Sequence, residues 1–506
     1  MAETILNLID SGADDAVALA APDRDPMTYA GLRTLAGKTV SDMNALGIGR
    51  NDRVAIVLPN GPEMAAAFIA VGAGATTAPL NPGYRGEEFR FYLEDLGAKA
   101  LFVEAESQSP AIEVARDLGV SVYELSVPDG ASAGSFEISA GEPASDPGSI
   151  QTGPAGPDDV ALVLHTSGTT SRPKIVPLSQ TNICASARHI GETLSLDGAD
   201  RCVNIMPLFH IHGLIAAVLS SMAAGASTYC TPGFDALRVF RWFEDATPSW
   251  YTAVPTMHQA ILSRATRNED IVKAMDLRFI RSSSSSLPPQ VMAALEETFD
   301  CPVIESYGMT EAAHQMTSNL LPPGARKAGS VGMAAGPEVE IMDLDGSILE
   351  RGAVGEIVIR GPNVTHGYEA NDKANAEGFT NGWFRTGDQG MFDADGYLSI
   401  TGRLKEIINR GGEKISPREV DEILLDHPAV GQAVTFALPH EKLGEEVAAA
   451  IVLKEGAEAT ENEIRKFAAL HLADFKVPRK VVFLEEIPKG ATGKLQRIGL
   501  HEKLGL

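Results

Sequence analysis

The chain is poor in cysteine, lacks long apolar runs and carries no excess of basic charge. Its four cysteines, Cys184, Cys202, Cys230 and Cys301, fall at no metal-ligand spacing and read as reduced, buried thiols. No window approaches the ~18 uninterrupted apolar residues of a membrane span. The opening Met-Ala-Glu-Thr-Ile-Leu-Asn-Leu-Ile-Asp lacks a basic stretch followed by a long apolar core, and the closing Leu-Gly-Leu is not Ser-Lys-Leu. Together these absences lead us to expect a cytoplasmic protein. Acidic residues number 67 against 42 basic ones, a net charge of −25. That field favours solubility and opposes docking on nucleic acid or anionic lipid, so neither is expected as a partner. Any anionic ligand must therefore meet a local cluster of cations.

What is present suits a soluble globular enzyme, with 44% apolar and 22% charged residues. At 506 residues the chain exceeds one comfortable core, so a large domain and a smaller one are expected. The first third alternates strand-like and helix-like pieces: strands at 53–60 and 100–103, helices at 63–73 and 87–96. That alternation predicts α/β layers with parallel pairing. Residues 128–158, rich in Gly, Ser, Pro and Asp, read as a long exposed loop. A second α/β block runs to about residue 340 and a β-rich section follows, including 355–361 and 395–400. From 406 onward the pattern is a compact α+β unit, with helices at 417–426 and 461–472 and strands at 433–438, 447–453 and 481–484. The fold class is thus α/β: a large N-terminal domain of layered α/β subdomains with a β-rich section (1–402), a boundary at 403–405, and a small α+β C-terminal domain (406–506).

The most informative stretch is Leu164-His-Thr-Ser-Gly-Thr-Thr-Ser-Arg-Pro-Lys-Ile-Val-Pro-Leu178. Five hydroxyl residues, a glycine and a lysine follow an apolar run, Ala161 to Leu164, that reads as a buried strand. Such a loop fits a polyphosphate, because glycine permits close backbone approach, hydroxyls and amides donate, and lysine supplies a point charge. The spacing is not GxxxxGK[ST], which disfavours a standard P-loop NTPase.

Two further segments carry the chemistry a nucleotide needs. Tyr307-Gly-Met-Thr-Glu311 offers an aromatic face, a glycine, a hydroxyl and a carboxylate able to hold Mg²⁺. In Trp383-Phe-Arg-Thr-Gly-Asp388 a turn-placed aspartate can accept both ribose hydroxyls. Near the end, Pro488-Lys-Gly-Ala-Thr-Gly-Lys494 presents a long cation in a glycine-flanked loop, able to reach a developing negative charge and leave again.

These segments resemble the motifs of the acyl-adenylate-forming superfamily of acyl-CoA synthetases, adenylation domains and luciferases. Within it, the segments 165–174, 207–213, 250–256, 361–365 and 409–417 look like those of the oxalate–CoA ligases. The resemblance implies ATP, Mg²⁺ and CoA as ligands. It implies a phosphate loop of Thr166, Ser167, Gly168, Thr169, Thr170 and Lys174, with Ser306 and Tyr307 at the adenine. Thr310 then contacts the α-phosphate, Glu311 and Thr166 hold the metal, and Asp388 binds the ribose beside Arg403. Lys405 corresponds to the hinge on which a mobile small domain swings, and Lys494 to the catalytic lysine. Gly411 and Gly412 match the segment that passes the pantetheine arm. Ser171 and Ile175 stand where the family commonly has glycine. If that second glycine needs positive φ, a β-branched Ile175 distorts the loop's exit and lowers ATP affinity.

Substrate choice is expected in Pro207-Leu-Phe-His-Ile-His-Gly213, Arg281-Ser-Ser-Ser-Ser-Ser-Leu287 and His314. Hydroxyls lining a pocket for a fatty or aromatic tail would each need a partner, whereas serines and histidines suit a small, doubly charged acid. We expect Ser284, His210 and His314 to bind its remote carboxylate, with His210 also near the reacting centre; the other possibility is that the serines cap a helix and the histidines are satisfied locally. The expected activity is ATP-dependent activation of oxalate and transfer to CoA, by a monomer or dimer. The alternatives are a CoA ligase for another short or medium-chain acid, with Arg281 a candidate for a malonate-like carboxylate, or an adenylation domain loading a carrier protein. A non-enzymatic binding protein of the same fold is disfavoured by the intact set Lys174, Glu311, Asp388, Arg403 and Lys494.

Overall fold

The structure, a computed structural model, describes residues 3–166, 173–488 and 497–506. The described residues form two compact units, one of 3–166, 174–339 and 359–384, the other of 340–358, 385–488 and 497–506.

The first unit contains two sheets built mainly from parallel strands. In one, seven strands lie in the order Glu137–Ile138, Ser121–Ser126, Ala100–Glu104, Arg53–Val57, Thr76–Pro79, Val160–Thr166, Lys174–Ser179. Pairing is parallel in the middle and antiparallel at both edges. Strands buried on both faces should read as unbroken apolar runs, and Val54, Ala55, Ile56 and Val57 are all buried. The helix Pro62–Gly72 is buried all round except at Glu63, as its alanine-rich sequence allows.

The other sheet has nine strands, with parallel pairing running from Val303–Met309 through Phe279–Ser282, Trp250–Ala253, Arg201–Asn204 and Ser227–Cys230 to Val17–Ala20. His314–Ser318 and Met333–Ala334 extend it antiparallel beyond Val303–Met309. Ligands of such sheets bind outside the carboxyl ends of the parallel strands. Here those ends carry Thr252, Ser282 to Ser284 and Ser306 to Glu311.

In the second unit, the antiparallel strands Val430–His440 and Gly444–Leu453 pair along their length, and Lys480–Phe483 adds in parallel. The helices Pro417–Leu425 and Glu461–His471 contribute Val420, Leu424, Ile464 and Ala468 to the core over this sheet. This is the α+β unit that the sequence predicts.

Two elements differ from expectation. Residues 128–158 are mostly irregular, but Ala133, Phe136 and Ala155 are buried and Glu137–Ile138 forms an edge strand. Tyr123 donates to Glu142 O (2.8 Å) and Arg24 to Ala131 O (3.1 Å), so the segment is pinned rather than free on the surface. Asp388 lies inside the ten-residue strand Trp383–Phe392, not in a turn. Gly387, at φ 74°, supplies the local kink that reads as a turn in sequence.

Candidate active site

Thr166 and Lys174 are cross-strand partners at the mouth of the hairpin formed by Val160–Thr166 and Lys174–Ser179. The connection predicted to hold phosphate, with Ser167, Gly168, Thr169, Thr170 and Ser171, lies outside the described residues. Ile175 does not strain the loop's exit. It is an extended strand residue opposite His165, buried in the apolar cluster that includes Val57, Leu80, Phe89 and Val163. A β-branched side chain favours that setting, so the expected penalty on ATP binding has no structural basis.

The Tyr307–Glu311 segment continues the Val303–Met309 strand and then closes in a single tight turn, Thr310–Ala312. Tyr307 is half-buried, Ser306 is buried, and the Ser306 carbonyl accepts from the Ser283 hydroxyl (3.0 Å). A β-carbon on Gly308 would sit 1.6 Å from the His314 carbonyl oxygen, so only glycine fits where the chain doubles back. Glu311 is buried and accepts a 2.8 Å hydrogen bond from the Tyr368 hydroxyl. Burial, and then the Glu311 charge, push the Tyr368 hydroxyl well above its ordinary pKa, which keeps it a neutral donor. The Lys174 ammonium stands 4.2 Å from the centre of the same ring. The 361–365 segment supports this turn from behind: Thr365 N donates to Glu311 O (2.8 Å), and Asn363 Nδ2 donates to Ala312 O (2.8 Å) and Gln315 O (2.9 Å). Tyr368 escaped the sequence reading; its signal was the aromatic three residues beyond that same motif.

The expected pocket residues come together around a residue that sequence reasoning passed over, His212. Its Nδ1 lies 3.0 Å from Ser284 Oγ, its Nε2 lies 2.6 Å from Thr252 Oγ1, and its ring meets that of His314 edge-on at 5.0 Å. His210 is half-buried two residues earlier, its Nδ1 accepting from His212 N (3.4 Å). The helix that opens at this point runs in π register over His212–Leu219, with Ser220 N bonding back to Ile215 O. Such wide turns are rare and concentrate at functional sites. Ser284 (φ 71°) and His314 (φ 100°) both hold backbone conformations that side chains avoid, another mark of a site held by its surroundings.

The serine run does not cap a helix. The next helix, Pro289–Phe299, starts on proline with no side-chain cap, while Ser283 bonds to the Ser306 carbonyl and Ser284 to His212. Behind them lies Arg281, fully buried, its guanidinium donating to Thr252 Oγ1 (3.5 Å) and Gln315 Oε1 (3.4 Å) and to no carboxylate among the described residues. Burial pulls its pKa down to about 9, so it stays charged at neutral pH. Burial, then His314 and the Arg281 charge, push His212 well below the ordinary histidine range, leaving it neutral.

In the second unit Asp388 and Arg403 are cross-strand partners joined by a salt bridge, Arg403 Nε donating to Oδ1 (2.8 Å). A carboxylate has about four lone-pair sites, so this pairing leaves acceptor capacity for ribose hydroxyls. Lys405 is exposed in the tight turn that follows, where Glu406 N bonds Arg403 O (2.8 Å). Gly411 and Gly412 form the two-residue turn joining Ile408–Arg410 to Glu413–Ile415. Lys494 lies outside the described residues. Arg497, just past it, is anchored to Asp421 (2.6 Å), Glu406 (3.2 Å) and the Thr435 carbonyl (3.0 Å).

Among the described residues no group of three or more His, Cys, Asp or Glu is placed to hold a metal by itself. Mg²⁺ does not require one, since it commonly takes one or two carboxylates and completes its shell with water and substrate phosphates. The hard oxygens of Glu311 and Thr166 are of the kind it takes. A cleft of about 480 Å³, lined in part by Arg24, Asn60, Arg238 and Trp242, contains none of the expected site residues.

The family described as AMP-binding enzyme matches residues 10–369, and the AMP-binding enzyme C-terminal domain matches residues 419–494. The chain is 48% identical over 423 residues to an oxalate–CoA ligase of Arabidopsis thaliana, covering 83% of this chain and 82% of that protein. It is 44% identical over 441 residues to an oxalate–CoA ligase of Saccharomyces cerevisiae, covering 83% and 80%. The crystal structure of ATP-bound MatB from Rhodopseudomonas palustris matches it with a TM-score of 0.87 at 28% identity, over 99% of this chain and 98% of that one. Among the described residues no helix is long and apolar enough to cross a membrane.

Proposed function

We infer that this chain, which belongs to the AMP-binding enzyme family, is an ATP-dependent oxalate–CoA ligase. It converts oxalate and ATP to oxalyl-AMP and pyrophosphate, then transfers the oxalyl group to CoA with release of AMP. The observation that carries this reading is the pocket chemistry: Ser284, His212 and His314 converge beside a buried Arg281 that has no carboxylate partner among the described residues. A buried cation without a counter-ion is costly, and a site made of hydroxyls and imidazoles wastes hydrogen bonds on an apolar tail. A short dianion answers both. The two oxalate–CoA ligases at 48% and 44% identity support the same assignment.

A carboxylate is a poor acyl donor because its oxygens leave badly. One oxalate oxygen attacks the α-phosphorus of ATP, the bond to the β-phosphate oxygen breaks, and pyrophosphate departs. Catalysis is then positioning and charge stabilisation. Lys174 and the 167–171 loop hold the phosphates, Thr310 and Lys494 meet the α-phosphate, and Tyr307 and Ser306 seat the adenine. Tyr368 orients Glu311, which with Thr166 would hold Mg²⁺; the ion, when bound, neutralises phosphate charge. Asp388 and Arg403 take the ribose. In the second half-reaction the CoA sulfur attacks the acyl carbon, the bond to AMP oxygen breaks, and AMP leaves with the electron pair. We place a hinge at 403–405, Lys405 its pivot, between residues 1–402 and 406–506. Its swing withdraws Lys494 and brings Gly411 and Gly412 to the thiol. On this reading the enzyme is cytoplasmic, works as a monomer or dimer on small molecules, and has no nucleic-acid or membrane partner.

The test is pyrophosphate release by the purified protein with MgATP and oxalate, malonate, acetate, hexanoate or coumarate, each with and without CoA. Oxalate-selective, CoA-dependent turnover is expected. Preference for a monocarboxylate would overturn the pocket assignment, and turnover indifferent to CoA would overturn the acceptor.

A further inference from the structure

We propose that Arg281, Thr252 and His212 form a hydrogen-bond relay of fixed direction, which holds His212 as its Nδ1–H tautomer and reserves the Ser284 hydroxyl proton for the acid. The proposal rests on the reading above that Ser284 faces the carboxylate substrate. The direction follows from donor counting. Arginine only donates, so at the 3.5 Å contact Thr252 Oγ1 must accept. Even a long contact suffices, because the guanidinium charge turns the threonine hydroxyl oxygen toward itself and its proton away.

Thr252 is fully buried, and among the described residues its hydroxyl has one other partner, His212 Nε2 at 2.6 Å. A buried hydroxyl proton needs an acceptor, so Nε2 accepts it. The imidazole is neutral, since burial and the Arg281 charge disfavour a second proton. Its single N–H is therefore on Nδ1 and donates to Ser284 Oγ at 3.0 Å. Ser284 has no other side-chain hydrogen bond among the described residues, and it is half-buried at the end of the relay. Its own proton then points onward, to an anion.

Arg281 is thus a positioning residue that acts through two others. It sets the sign of the site as well as its tautomer: with Nε2–H instead, Nδ1 would accept from Ser284 and draw the hydroxyl proton away from the substrate. A pocket that presents only a donor at Ser284 favours a carboxylate oxygen over any group offering a proton.

The experiment joins a spectroscopic readout to a kinetic one. Long-range ¹H–¹⁵N correlation spectra of histidine-labelled protein without substrate report the tautomer, with His212 assigned from the peaks lost in His212→Asn. The wild type is expected to show a protonated Nδ1 and a bare Nε2. Thr252→Val keeps the shape but removes the donor to Nε2; we expect mixed tautomers and an oxalate KM raised about tenfold, as loss of one charge-assisted hydrogen bond predicts. The KM for ATP should stay put, and Thr252→Ser should restore both tautomer and KM. An Nε2–H tautomer in the wild type overturns the relay, as does Thr252→Val with an unchanged oxalate KM. If the wild type releases no pyrophosphate with oxalate, the functional reading fails, while the spectra still decide for or against the relay.

Discussion

Ile175 and Gly308 show how single residues tie the segments proposed to bind nucleotide to the core. Ile175, on the strand Lys174–Ser179, is a buried residue whose carbonyl accepts from Glu369 N (3.1 Å). Replacing it with glycine creates a cavity and frees the strand backbone. We expect Ile175→Gly to destabilise the protein by about 3 kcal/mol, read as a lower urea midpoint, with no gain in ATP affinity. Tighter ATP binding at unchanged stability would restore the idea that Ile175 strains the loop. Gly308 is constrained from the other side, since any β-carbon meets the His314 carbonyl. Gly308→Ala should push that strand outward at a cost of about 1–3 kcal/mol and raise the KM for the acid, because His314 moves with its backbone. An alanine variant with wild-type kinetics and melting temperature would mean the turn relaxes freely.

At the scale of elements, the turn at Gly411-Gly412 separates a structural demand from a functional one. Both residues have positive φ, 61° and 101°, as a two-residue hairpin turn with matched twist requires. A β-carbon on Gly412 would meet nothing within 4 Å, so the cost of Gly412→Ala is conformational alone, about 1–2 kcal/mol. If the glycines also pass the CoA arm, the variant slows thioester formation while oxalate-dependent pyrophosphate release in the adenylation step holds. Equal loss in both half-reactions would remove that role. Elements of this kind also mark what could be read in advance. The helices Pro417–Leu425 and Glu461–His471 were legible because burial of one face forces an apolar periodicity, and Pro62–Gly72 and the central strands because burial all round leaves unbroken apolar or small-residue runs. The strand through Asp388 was not, since Thr-Gly-Asp has turn chemistry and only its neighbours in the sheet override it. Nor was the π register that aims His212: it depends on what packs around an all-apolar helix, which carries no local signal. The grouping of Ser284 and His314 was legible as polar residues in segments expected to be apolar, while Thr252 and Tyr368 look like ordinary strand and loop residues until the fold brings them in.

For the molecule as a whole, burial of imidazoles in the first unit makes stability depend on pH. Burial drives the His258 pKa from 6.5 down to about 3, its Nδ1 3.3 Å from the Tyr251 hydroxyl, and burial moves His212 the same way. Below the ordinary histidine pKa the unfolded chain takes up protons that the folded chain refuses. Folding stability is therefore fully present above pH 6.5 and falls steadily as the pH drops toward the folded-state value. Each such group costs about 1.4 kcal/mol per pH unit, or about 2 kcal/mol between pH 6.5 and 5. His258→Gln lacks the titrating ring and should flatten the slope by one group's share. Urea midpoints at pH 7, 6 and 5 for both proteins measure it. Parallel slopes would mean that His258 is hydrated or paired in the folded state. A shallower slope in the variant would show that the same burial that keeps the imidazoles neutral for an anionic substrate also sets the acid limit of the fold.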